Sequence, residues 1–132
     1  MLAHRLQRQK IKRFKVIKSR SRYSAVVNGK SQYSLKYEPG TEVYALPETM
    51  GIMCFTSHKK ADKWIRTHYY YWGNCRIIEV IPMGKGRIPE VIASPQKLAL
   101  WYNNRDHYRT FNHSLLTPPD GTICYPAVYV VN

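Results

Sequence analysis

Short runs in which apolar and polar residues alternate, each closed by proline, glycine or asparagine, fill the first half of this chain. A period of two restricts those runs to strands that bury one face. Residues 14–18 form one such run and residues 23–27 another. Asn28-Gly29 then supplies two residues that tolerate positive φ in a tight hairpin, with residues 32–37 returning. Glu38-Pro39-Gly40 places Pro and Gly for a type II turn. Residues 41–45 and 51–56 follow as strands on either side of a turn at 47–50.

The period then changes. Ser57 caps a helix expected over residues 58–70, where Ala61, Trp64, Ile65 and His68 recur on one face. Lys59, Lys60, Lys63 and Arg66 fall largely on the other. Residues 76–81 are apolar and β-branched and read as a strand that Pro82 ends. A glycine-rich loop at 83–87 leads to a short apolar stretch at 91–93. Ser94-Pro95, an N-cap followed by a favoured first-position proline, opens a second helix to about residue 102. Pro118-Pro119-Asp120-Gly121 is a turn, and residues 122–131 are a last strand, whose Pro126 points to a sheet edge. The whole predicts an α+β fold: a single compact domain of six or seven mostly antiparallel strands with two short helices. A length of 132 residues, 44% of them hydrophobic, fits one such domain without disulfide or metal staples. No apolar run approaches the ~18 residues of a membrane-spanning helix.

Charge divides the chain differently. The net charge is +13, and nine of the 21 Lys and Arg residues lie in residues 1–22, with no acid among them. These are Arg5, Arg8, Lys10, Lys12, Arg13, Lys15, Lys18, Arg20 and Arg22. The domain reading is therefore a basic arm over 1–22 and an α+β domain over 23–132. The arm lacks the unbroken apolar core of a secretory signal, and although it is basic and acid-free like a mitochondrial presequence, residues 14–18 read as the start of a strand. Interleaved cations of this density neutralise phosphates and release counterions, which points to nucleic acid or a nucleoprotein assembly, with an acidic protein surface and an anionic membrane as the other partners weighed. Nine contacting cations would give a log–log salt slope of ~6 to 8.

Other basic candidates are Lys59, Lys60, Lys63 and Arg66 on the helix, and Lys85 and Arg87 in the loop Gly84-Lys85-Gly86-Arg87, which lacks the GxxxxGK[ST] spacing of a P-loop. Tyr69, Tyr70, Tyr71 and Trp72 cannot all face inward on one helix, so some are candidate protein contacts. The five histidines form no HxxxH or HExxH pair, and with the three cysteines they give no zinc spacing. Carboxylates are few and scattered. The expectation is a chain without catalytic residues, metal or cofactor, and therefore not an enzyme. Cys54 and Cys124 sit in apolar runs and read as buried free thiols, implying an intracellular, reducing compartment.

Residues 39–55 (PGTEVYALPETMGIMCF), 78–89 (IEVIPMGKGRIP) and 118–131 (PPDGTICYPAVYVV) together resemble a family of small phage and viral proteins. That resemblance implies a shared fold and a viral protein acting in the host cytoplasm or in a virion. It carries no activity with it. One alternative is then a viral effector that binds and inhibits a host protein, anchored by residues 69–72. A weaker likeness is to the ADP-ribosyltransferase fold, in the order Phe55-Thr56-Ser57, Lys60-Ala61, then Arg76-Ile77-Ile78-Glu79-Val80. Those enzymes use a glutamate late in the domain. The last strand here has no acid, and Glu79 and Glu90, the only late glutamates, lie outside any matching motif. The third reading that this likeness implies is a nucleotide-binding or enzymatic domain of that type, with Glu79 or Glu90 as its acid.

Overall fold

A computed structural model describes residues 11–25, 34–47, 49–67, 74–89, 92–93, 115–116 and 118–132. Eight strands and one helix lie among them: β1 (Arg13–Lys18), β2 (Glu42–Tyr44), β3 (Ile52–Phe55), α1 (His58–Thr67), β4 (Cys75–Met83), β5 (Ile92–Ala93), β6 (Leu115–Leu116), β7 (Thr122–Tyr125) and β8 (Ala127–Val130). Six strands form one sheet in the order β2-β8-β4-β1-β3-β7, and β5 pairs with β6 separately. Every pairing is antiparallel. The fold is α+β, dominated by its sheet. The second helix expected from Ser94-Pro95 and the hairpin at Asn28-Gly29 lie outside the described residues.

The central strand comes from the segment read as an arm. β1 sits between β4 and β3, with six residues paired to β4 from Arg13–Val80 to Lys18–Cys75. It is buried on both faces. Ile17 points into a core with Tyr37, Val43, Ile52, Cys54, Ile78, Val80, Tyr125, Val128 and Val130. Val16 points the other way, to a smaller core with Ala25, Phe55, Ala61 and Ile65. The basic segment 1–22 is therefore not one arm: residues 13–18 are sheet, and a domain boundary at residue 22 would cut out its centre.

α1 covers the second core. Ser57 Oγ accepts from the Lys60 backbone N–H at 3.2 Å and caps the helix as expected. Ala61 and Ile65 are its buried residues. Phe55 meets Trp64 at 6.1 Å between ring centres, and Phe14 meets His58 edge-on at 5.8 Å.

Two prolines act differently from expectation. Pro82 does not end β4, which continues to Met83 with Pro82 opposite Val128. The Glu79 carbonyl accepts from Val131 on the β8 side. Alternation then turns the nitrogen of Pro82 toward β1, where pairing has already stopped at Arg13–Val80, so no ladder bond is lost. Pro126 divides the last apolar run into two strands with different neighbours. β7 lies at a sheet edge beside β3, while β8 runs inside between β2 and β4. After β4, Arg87 exchanges both backbone hydrogen bonds with Cys124 of β7, at 2.8 and 2.7 Å. The sheet curls so that its β7 edge meets the chain leaving β4.

Candidate nucleic-acid interface

The expected basic residues separate by environment. Arg5, Arg8 and Lys10 lie outside the described residues, as do Tyr69, Tyr70, Tyr71, Trp72 and Glu90. Lys15 is buried and cannot contact a partner: its ammonium donates to the Met53 carbonyl at 2.8 Å inside the core and reaches no phosphate. Burial pushes its pKa down, with Cys54 and Cys124 opposing that. Arg13 Nε donates to Tyr125 Oη at 2.9 Å, joining β1 to β7. Arg22 donates from Nε to the Tyr37 carbonyl at 2.7 Å and from Nη2 to the Asn132 carbonyl at 2.9 Å. It is a clamp on the fold. Lys18, half-buried at the end of β1, also has a partner.

The acids account for several more. Lys12 lies 3.5 Å from Glu79, Lys60 3.6 Å from Asp120, and Arg66 2.7 Å from Asp62 one helical turn away. Lys36 pairs with Glu38 at 2.9 Å, and Glu42 accepts from Tyr44 Oη at 2.6 Å. Every described Asp and Glu carboxylate is thus engaged. Arg20, Lys59, Lys63, Arg76, Lys85 and Arg87 remain exposed without an acidic partner among the described residues.

Lys59 and Lys63 are on one helix, one turn apart, where like charges repel mildly unless an anion lies between them. Lys60 reaches the turn that opens β7, since a Cβ on Gly121 would lie 2.5 Å from its side chain. Lys85 and Arg87 flank the other side of β7 through the Arg87–Cys124 bridge. β7 therefore has a basic helix near its start and a basic loop along its outer side.

Sequence reading missed two residues here. Arg76, at the exposed start of β4, is hidden among strand residues. Ile88 is 78% exposed beside Arg87, and its only signal is an isolated apolar residue between a cation and a proline, outside any alternating run. Glu79, weighed as a catalytic acid, lies in β4 and pairs with Lys12.

Among the described residues no three His, Cys, Asp or Glu side chains gather as a metal site. No described helix is long and apolar enough to cross a membrane. Comparison with protein-family models, curated proteins and solved structures found no match.

Proposed function

We propose that this chain is a non-enzymatic basic module that docks on nucleic acid or a nucleoprotein assembly. One observation carries the reading: at a net charge of +13, each described Asp and Glu carboxylate is already held by a neighbour while six exposed cations have no acid beside them among the described residues. Such a surface lowers its own repulsion by binding a polyanion and releasing condensed counterions. The contacts are Lys59, Lys63, Lys85, Arg87, Arg76 and Arg20, together with Arg5, Arg8 and Lys10. Lys15 and Arg22 serve the fold instead. A viral setting follows only from the likeness of the three turn-and-strand segments.

The test is affinity for nucleic acid against salt, on the full chain, because removing residues 1–22 deletes β1. The native chain should show a steep salt slope. Lys59→Gln/Lys63→Gln and Arg5→Gln/Arg8→Gln/Lys10→Gln should each lower it by about 0.7 to 0.9 for every phosphate that is no longer neutralised. A slope near one, unchanged by these variants, would refute the reading and favour a protein partner.

A further inference from the structure

The run from Gly84 to Arg87 is braced against β7 and Pro126. Gly84 has φ of +87°, and a Cβ there would lie 2.6 Å from the Pro126 ring. A Cβ on Gly86 would lie 2.7 Å from Ile123 and 2.9 Å from Tyr125. Arg87 is tied to Cys124 through both its N–H and its C=O. Both glycines are needed so that the backbone can lie flat against β7. On this pedestal stand Lys85, Arg87 and Ile88, all exposed, and Ile88 is the most exposed large apolar side chain described. Nothing in the described core uses these three side chains.

We propose that residues 85–88 form a wedge for duplex DNA, with Lys85 and Arg87 on phosphates and Ile88 entering a base step from the minor groove. This rests on the nucleic-acid reading above and deepens it. Lys85 and Arg87 stand two residues apart, a reach of about 7 Å in extended chain, comparable to the ~6 Å width of the minor groove. Ile88 follows Arg87 directly, and apolar side chains inserted beside cations part base steps in that way. An aliphatic side chain has no ring face for an unpaired base, so single strands gain little from Ile88. A lone isoleucine with two cations also gives only marginal attachment to a lipid surface. Rigidity matters because a floppy loop would fold Ile88 back instead of holding it against a stacked step.

The experiment uses the full chain and a DNA duplex carrying 2-aminopurine, whose fluorescence rises on unstacking. The native chain should bind and raise the signal. Ile88→Ser should abolish the rise while leaving affinity within about threefold, since phosphate contacts carry the affinity. Lys85→Gln/Arg87→Gln should weaken binding and lower the salt slope by about 1.8. Ile88 and both cations are exposed, so these variants keep the fold, which circular dichroism checks. Binding with no fluorescence rise overturns the wedge and leaves the nucleic-acid reading standing. No binding to any nucleic acid overturns both. Ile88-dependent binding to anionic vesicles of phosphatidylserine and phosphatidylcholine, without a DNA response, reassigns the loop to membranes and also overturns the wedge.

Discussion

The ammonium of Lys15 donates to the Met53 carbonyl at 2.8 Å and lies 5.5 Å from the centre of the Tyr37 ring, inside the larger core. β1 and β3 pair at the single position Phe14–Phe55, and beyond it the lysine side chain reaches the β3 backbone instead. Among the described residues the core thereby contains a cation with one carbonyl acceptor and a ring face, and no carboxylate.

Burial lowers the Lys15 pKa from 10.5, so the fold favours its neutral form. The unfolded chain then binds more protons between the folded value and 10.5, and this contribution to stability rises with pH across that window. Lys15→Met keeps the volume and removes the desolvation cost. Urea unfolding should find it at least as stable as the native chain at pH 7, with the difference moving in favour of the native chain as pH approaches 10.5. Both variants leave the Met53 carbonyl without its donor; Lys15→Ala leaves a cavity as well and should cost about 2 to 4 kcal/mol. A Lys15→Met variant that loses that much at pH 7 would show that the ammonium and its hydrogen bond to Met53 outweigh the cost of burying them.

Arg22 is the one described non-glycine residue with positive φ, at +64°. That conformation costs about 1 to 2 kcal/mol and is offset by its two carbonyl contacts, to Tyr37 and Asn132. Lysine has no planar fork to span both carbonyls. Arg22→Lys should therefore lower stability by about 1 to 2 kcal/mol, and Arg22→Gln, which also removes the charge, should leave the salt slope of nucleic-acid binding unchanged. A changed slope would place Arg22 among the phosphate-binding residues after all.

Gly40 and Gly51 separate two costs of positive φ. Gly40, at +78°, has nothing within 4 Å of an added Cβ, whereas at Gly51, at +105°, that Cβ would lie 2.6 Å from the Tyr125 carbonyl oxygen. Gly40→Ala should cost about 1 kcal/mol and Gly51→Ala about 3 kcal/mol or more, read as shifts in the urea midpoint. Equal losses would mean that the backbone at Gly51 moves away from Tyr125 cheaply.

Local chemistry was legible where it acts locally. Pro39-Gly40 forms the expected turn, with Thr41 N–H on the Glu38 carbonyl at 3.3 Å, and Ser57 caps α1. The strands at 14–18, 41–45, 51–56 and 76–81 are present within a few residues. The interface was only partly legible, because charge counts do not show which cations are inside. Lys15 reads as one more cation of a basic segment until β1 is placed between β3 and β4. That placement depends on pairing with residues some sixty positions away. Pro126 marks a break, but which strand pairs with each half is decided by the curl of the sheet. Ile88 shows its exposure only once the loop is laid against β7.

Cys54 and Cys124 are buried free thiols, as their apolar runs imply, and Cys75 is half-buried. Burial pushes Cys54 up to about 11 and Cys124 up to about 12 from 9.0. Both favour the protonated form in the fold, so their contribution is complete below pH 9. It is lost as pH rises from 9 toward these values and the unfolded thiols ionise. Each thiol can remove up to about 1.4 kcal/mol per pH unit in that window. Iodoacetamide at pH 8, followed by mass spectrometry, should label Cys75 first and leave Cys54 and Cys124 untouched until urea unfolds the chain, because only an accessible thiolate reacts. A Cys54→Ala/Cys124→Ala variant should begin less stable and show a shallower alkaline fall. Labelling of Cys54 or Cys124 at the rate of Cys75 under native conditions would show the sheet opening around them.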